Sequence, residues 1–529
     1  MPRRPGGPPA GRKTGAPAQQ PPQQAPQKGA PGAEARSAAP AGGAREPSGF
    51  LASIGLACVF LAVFLLLPQR KFHGFDSDYY TMLVQSGDYG GLRQHVAFLP
   101  LVGLVFKTIH PLGFGAFDAL LITAALGSAV GVFCLHRAGR LLLGSGPSAT
   151  AMAIGVALTP ACFYYATAAE IHGVFAAGSG ASWWAFARWR KAPEQLVRAA
   201  MLGGCCGLAG SIHSFGHLLM PMFAAIALTQ DWLPRTHRIA HFSALAIAHL
   251  VIALAMAFGL GAGASGQSAA AMNHITAHVG ATDLGLAPAT MWREAIVPFL
   301  PWSMIALLGI LNARSRPWSS AFVLGVALHA PIVIMLLSRD GPQFHEQGGY
   351  LLTMAVPAVL AAIVVMPRPV FWLTTLLGAG LTAALVVPRW PPVYQREFVE
   401  AVEQLRRERS FVLVVGPDEL EGVRTNMGVR RGAARVLEGL WCVEVERSLD
   451  AFFGLTLASP QPLPEWFDSM IDVLAKQADS VLVTAEAQRC LDQYRVEAVR
   501  TLWRDHVQRN YVVEPLQRPG LEGAFIRHR

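Results

Sequence analysis

The chain has 529 residues, 52% of them hydrophobic and only 15% charged, with a formal net charge of +9. A soluble protein of this size would carry about a quarter charged residues, so composition excludes an ordinary soluble domain. The basic residues are dispersed among short loops and the N-terminal segment, which excludes a nucleic-acid stripe and reads as topology signalling.

Residues 1–48 are rich in Pro, Gly, Ala and Gln and nearly devoid of large apolar side chains, too few to repay the entropy of folding. Their basic excess (Arg3, Arg4, Arg12, Lys13, Lys28, Arg36 and Arg45 against Glu34 and Glu46) predicts a disordered cytoplasmic tail. The first apolar run is too long and too far into the chain for a cleavable signal peptide. About 11 apolar runs near membrane-spanning length then follow. They lie at 50–68, 116–136, 148–167, 171–187, 197–212, 214–230, 239–261, 293–311, 318–337, 350–366 and 370–388. A polytopic α-helical membrane domain is expected over 49–390, with a long first outer loop at 69–115 and a second at 262–291. In the first loop, "VAFLPLVGLVFKTIH" is apolar but short and carries Lys107, which predicts a helix lying in the interface. Threading the chain from a cytoplasmic N-terminus puts most Arg and Lys on inner loops. The same walk puts Asp76, Asp78, His95, Glu170, His172, His213, Arg339, His345 and Glu346 together on the outer side.

After Pro391 the composition changes. "REFVEAVEQLRRER" reads as a charged helix, "SFVLVVG" as a buried strand, "PEWFDSMIDVLAKQA" as an amphipathic helix and "DSVLVTAE" as a second strand. A helical stretch (485–508) and two short strands (510–515 and 523–527) complete a small α/β domain over 391–529, placed outside the cytoplasm by the odd span count. Its "VVGPDELEG" lacks the phosphate-binding glycine pattern. The seven cysteines follow no metal spacing, and Cys442 and Cys490 would form a disulfide only if they meet in an oxidising compartment.

The chemistry-bearing residues admit more than one reading. In "FDSDYY" (75–80), Asp76 and Asp78 could serve as a general base, bind a metal, or cap a helix beginning near Tyr79. Glu170 follows an aromatic run at a span end, where a carboxylate is either functional or simply reaches water. His213 and His217 stand four apart, as do His274 and His278, a spacing that suits two metal ligands or a packed pair. Arg339 precedes "FHEQGGY" (344–350) and could pair with a phosphate or sit at the interface.

Four stretches together resemble the GT-C superfamily of multi-span glycosyltransferases that use polyprenyl-phosphate sugars, in particular its protein O-mannosyltransferase-like branch. "FDSDYY" sits where that branch has Gly-Asp-Ser, matching Asp76 to its first-loop acid. "HVAFLPL" (95–101) resembles His-Pro-Pro-Gly-Tyr-Pro-Leu through His95, Pro100 and Leu101. "FYYATAAEIHGVF" matches Glu170 to an Ala-Glu-Val-Tyr segment, and "GLAGSIHSFGHLLMP" (207–221) matches His213 and Pro221. The departures are Phe75 for Gly, Val96 and Ala97 for two prolines, "EIH" for Glu-Val-Tyr, and no Arg beside the Tyr of "QGGY".

The resemblance implies an inverting membrane glycosyltransferase, and the high Ala, Gly and Arg content suits a GC-rich bacterial genome, hence a bacterial inner membrane. It would take a polyprenyl-phosphate sugar donor and a protein or glycan acceptor at the outer face. It implies Asp76 as the base with Asp78 in reserve, and Arg339 at the leaving phosphate. His95, Glu170, His172, His213 and Tyr350 would bind substrate. No cofactor is required by the sequence, although a divalent metal occurs in some of the superfamily. Two other functions stay open: a transporter or flippase for a lipid-linked substrate, which would use polar groups near the bilayer midplane, and a non-catalytic scaffold with a dispensable Asp76.

Overall fold

The computed structural model describes residues 47–69, 95–260, 282–338, 348–386, 393–416, 463–476, 478–494 and 496–529, with isolated positions between them that include Ser77, Tyr80 and Glu419. Asp76, Asp78, Arg339, His345, Glu346, His274, His278 and the side chain of Cys442 lie outside the described residues, as does the tail 1–46. Residues from Ser48 onward form one compact unit.

The helical part begins with α1 (Pro47–Leu66), α2 (Phe98–Ile109) and α3 (Ala116–Leu143). The expected interfacial segment is α2, a short apolar helix with a brief extension to Leu112. Four described helices, Gly49–Leu66, Ala116–Leu143, Arg235–Gly259 and Arg316–Leu337, are long and apolar enough to cross a membrane. The pair α4 (Gly146–Ala157) and α5 (Pro160–Thr167), bent by 69°, amounts to a fifth. The protein is a polytopic helical membrane protein.

Several apolar runs that read as continuous spans are broken, and each break has a cause in the chain. Between α4 and α5, Pro160 has no N–H to donate, and Thr159 turns extended so that its Oγ1 accepts from the Cys162 N–H at 3.4 Å. After α6 (Ile171–Lys191), helix α7 (Leu196–Ile212) stops at His213, whose backbone is extended at φ −141°, ψ 128°. A 3-10 turn (Ser214–Leu218) leads on to α8 (Leu219–Thr229) and α9 (Arg238–Gly259). The run around 293–311 holds Pro298 and Pro301 and forms α10 (Ala287–Met291), a π turn (Trp292–Ile296), a 3-10 turn (Val297–Phe299) and α11 (Trp302–Gly309). After α12 (Arg316–Leu337), the run at 350–366 starts as a 3-10 turn (Gly349–Met354) before α13 (Ala355–Ile363), and α14 (Arg368–Leu385) follows.

Small residues let the central helices touch backbone to backbone, the usual way membrane helices gain contact without a hydrophobic driving force. A Cβ on Gly127 of α3 would lie 2.6 Å from the Cα of Val174 in α6, and one on Gly173 of α6 would lie 2.7 Å from the Ala124 Cβ of α3. Ser128 crosses the same seam, donating to the Gly173 carbonyl at 3.2 Å. This contact places the start of α6, where Glu170 and His172 lie.

Beyond α15 (Val393–Glu408), a five-stranded sheet has the order β2-β1-β3-β5-β4. Strand β1 (Val412–Val415) runs parallel to β2 (Cys442–Glu444) and β3 (Val481–Thr484), and β5 (Leu521–His528) is antiparallel to β3 and to β4 (Tyr511–Arg518). Both faces of the parallel part are covered, which is why β1 and β3 read as unbroken apolar runs. Val412, Val414, Val481 and Val483 face Phe467 and Ile471 of α16 (Leu463–Ala475), while Leu413, Val415 and Leu482 face Phe398, Val402 and Leu405 of α15.

Candidate active site

The broken helix ends bring a cluster of polar and aromatic side chains together. Glu170 caps α6 through its own carboxylate, Oε2 accepting from the Ile171 N–H at 3.0 Å, and it is 2% exposed. Its other oxygen accepts from the hydroxyl of Ser77 at 3.4 Å. Ser77 is fully buried and stands in sequence between Asp76 and Asp78, so the first outer loop and the α6 cap meet at this bond. The backbone adds a second tie from the same loop region, the Gln69 N–H donating to the Thr167 carbonyl at 2.7 Å.

His95, His172 and His213 come from three separate segments and form a run of rings. The His95 and His213 centroids are 4.6 Å apart with the planes at 21°, and His172 lies 4.6 Å from His213. The Ala97 N–H donates to the Ser211 carbonyl at 2.9 Å, holding the start of α2 to the end of α7. Hydrogen bonds fix the protons of two of the rings. The Ser214 N–H donates to His95 Nδ1 at 3.3 Å, and the Phe215 N–H donates to His213 Nδ1 at 3.2 Å. A backbone N–H can only donate, so both Nδ1 atoms are bare and both rings are neutral with the proton on Nε2. They present N–H donors, not bases.

Tyr350 closes the cluster. Its ring stacks on Phe215 at 4.3 Å and lies 5.5 Å from His172 and 5.7 Å from His213. Tyr165, fully buried, packs edge-on to His172 at 4.5 Å. The structure thus brings together His95, His172, His213 and Tyr350 from the sequence-derived set and joins Glu170 to the chain at Ser77. His217 does not belong with them. The helix break at His213 separates the two, and His217 Nδ1 pairs instead with His249 Nε2 of α9 at 3.0 Å. Among the described residues, no group of three or more His, Cys, Asp or Glu is arranged to hold a metal ion.

Sequence reasoning passed over Tyr165, Phe215, Gly349, Arg293 and Glu294. The last two had a signal, an acid and a base inside the apolar run "MWREAIVPFLPW". Glu294 is 1% exposed and accepts from Arg293 Nε at 3.1 Å and from the Gly348 N–H at 2.9 Å. Arg293 is therefore one carboxylate away from the turn that carries Tyr350.

Comparison of the whole chain with solved structures places this arrangement. The crystal structure of ArnT from Cupriavidus metallidurans bound to undecaprenyl phosphate aligns over 90% of this chain and 97% of its own, at 13% identity and a TM-score of 0.54. The same protein in the apo state aligns over the same shares at 14% identity and a TM-score of 0.52. This chain has the GT-C fold. The apo oligosaccharyltransferase of Archaeoglobus fulgidus aligns over 91% of this chain and 74% of its own at 11% identity and a TM-score of 0.44. No protein-family model and no curated sequence matches the chain. The GT-C likeness is therefore one of fold.

Proposed function

We propose that this GT-C-fold protein is a membrane glycosyltransferase. It transfers a sugar from a polyprenyl-phosphate-linked donor to a protein or glycan acceptor at the outer membrane face. The observation that carries the reading is the alignment, over nine tenths of both chains, with a protein crystallised with undecaprenyl phosphate. The cluster of Glu170, His95, His172, His213 and Tyr350 supports it by supplying the polar and aromatic groups that would hold a sugar phosphate.

In this reading the membrane domain has about 11 spans, the N-terminus is cytoplasmic, and the C-terminal α/β domain stands outside and helps recognise the acceptor. Asp76 removes the proton of the acceptor nucleophile, with Asp78 in reserve. The nucleophile attacks the anomeric carbon from the face opposite the phosphate, so the configuration inverts. The lipid phosphate leaves with the bonding electrons, its charge offset by Arg339. Neutral His95 and His213 donate from Nε2 to sugar or phosphate oxygens. Glu170, by holding Ser77, sets the position of the loop on either side of it. Positioning and stabilisation of the leaving phosphate supply most of the rate.

The test is sugar transfer from radiolabelled polyprenyl-phosphate sugars by membranes expressing the wild-type chain or Asp76→Asn at matched protein levels. Loss of a positioned base lowers the rate by about 100- to 10,000-fold. Wild-type membranes that transfer nothing with a panel of donors and native membrane extract would overturn the enzyme. Equal transfer by both would keep the enzyme and remove Asp76 from its chemistry.

A further inference from the structure

Glu294 lies in the π turn Trp292–Ile296, is 1% exposed, and belongs to a stretch of apolar chain. A carboxylate buried in a membrane protein is expensive unless it is paired and hydrogen-bonded. Glu294 is both. Its Oε1 accepts from Arg293 Nε at 3.1 Å, which offsets the charge. Its Oε2 reaches 54 residues along the chain to accept from the Gly348 N–H at 2.9 Å.

The residues that follow have no slack. Gly348 has φ +80°, and a Cβ there would lie 2.8 Å from the Pro298 Cβ, so only glycine suits both the backbone and the space. A Cβ on Gly349 would lie 2.7 Å from His172 Nε2 and 2.8 Å from the Tyr165 hydroxyl. Tyr350 comes next, stacked on Phe215 and in contact with the imidazoles. A chain of direct contacts thus runs from the Arg293–Glu294 pair through Gly348 and Gly349 to Tyr350.

We propose that Glu294 is a positioning residue whose carboxylate, braced by Arg293, anchors Gly348 and thereby sets the Tyr350 ring against His172 and His213. The anchoring stands on the geometry alone. Its effect on sugar transfer rests on the function proposed above. A hydroxyl or a carbonyl could satisfy one amide at less cost. A charged acceptor makes a stronger bond than either.

The experiment measures hydrogen exchange on the full-length protein in lipid nanodiscs, comparing wild type, Glu294→Leu and Glu294→Gln. Losing a bond to a charged acceptor is expected to speed exchange of the Gly348–Leu351 amides by about tenfold or more in the Leu variant. Amides of α3 should not change. Glu294→Gln, whose side-chain carbonyl accepts the same bond without the charge, should recover part of the protection. In the transfer assay the Leu variant should raise KM for the donor by about tenfold with a smaller change in kcat, and Gln should restore it in part. A general loss of stability would lower the active fraction and leave KM where it was. If the Leu variant does not fold, Glu294→Asp, which keeps the charge but withdraws the oxygens by a methylene, should show the same local loss. Unchanged exchange at Gly348, exchange raised equally in α3, or no rescue by Gln would overturn the proposal. Exchange needs no substrate, so a wild type that transfers no sugar would refute the enzyme while the role of Glu294 is still decided.

Discussion

In the helical part, several buried ionisable groups sit where helices stop and are tied there to backbone or side chains outside the helix. Glu170 holds Ser77, Glu294 holds Arg293 and Gly348, and His95 and His213 accept from the backbone of the turn after α7. In the sheet, by contrast, the polar network lies at the carboxyl ends of β1 and β3 and keeps some access to water. There Glu419 accepts from the Thr484 hydroxyl and from the Gly416 N–H at 3.3 Å, while its own N–H donates to Glu486 at 3.0 Å. The difference follows from solvent. In a bilayer a polar group left over by packing has no water to turn to, so helix breaks and their side-chain partners occur together. The sheet can leave two carboxylates close to each other because protonation offers a way out.

This contrast can be broken most severely at the helix seam. Gly173→Leu places a Cβ 2.5 Å from the Tyr165 carbonyl and 2.7 Å from the Ala124 Cβ, against backbone that cannot give way. The expected loss is upward of about 3 kcal/mol, seen as absence of a monodisperse peak in thermal size-exclusion runs. A variant that melts with the wild type would mean that the α3–α6 contact does not set the position of His172.

A smaller effect is expected in the sheet. Leu482→Ala empties a fully buried site between α15 and the strands and should cost about 2–5 kcal/mol. Hydrogen exchange in the full chain should rise in β1, β3 and β5 and stay constant in α3. A parallel rise in α3 would show that the two cores unfold together, against the separate clusters seen here.

The smallest effect sharpens the point about protonation. Burial, with the neighbouring Glu486 carboxylate adding to it, raises the Glu419 carboxyl from an ordinary 4.5 to about 7. The folded chain therefore keeps a proton that the unfolded chain releases. The contribution of this group to stability is whole below about pH 4.5, declines from there to about pH 7, and is flat above. Glu419→Gln should abolish that decline and stabilise the sheet by about 1–3 kcal/mol above pH 7, read from exchange of β3 amides across pH. A wild-type sheet of constant stability over that range would show that the proton is not held.

Part of the site was legible because the types of residue are conspicuous in apolar chain. Glu170, His172, His213 and Tyr350 could be singled out at run ends, and Tyr350 and the imidazoles do meet. His217 misled because a spacing of four implies a shared face only where the helix continues, and α7 ends at His213. Phe215 and Tyr165 gave no signal: an aromatic residue among many in a membrane protein is unremarked until its neighbours are known. Glu294 carried the signal of an intramembrane acid, but sequence could not say that its partner was the N–H of Gly348.

By itself the sequence determined that the chain lives in a membrane, where its apolar runs begin and end, and that β1 and β3 are buried strands. Local hydropathy decides these, because each run must match the medium that surrounds it. Only the tertiary structure decided which run ends come together, that 148–167 bends by 69° at Pro160, and that Glu170, Glu294 and His95 are bonded to segments far away in the chain. The placing of Glu170 and His172 depends on how closely the Gly and Ala faces of α3 and α6 approach. Such an approach is a property of two helices at once, and neither segment encodes it alone.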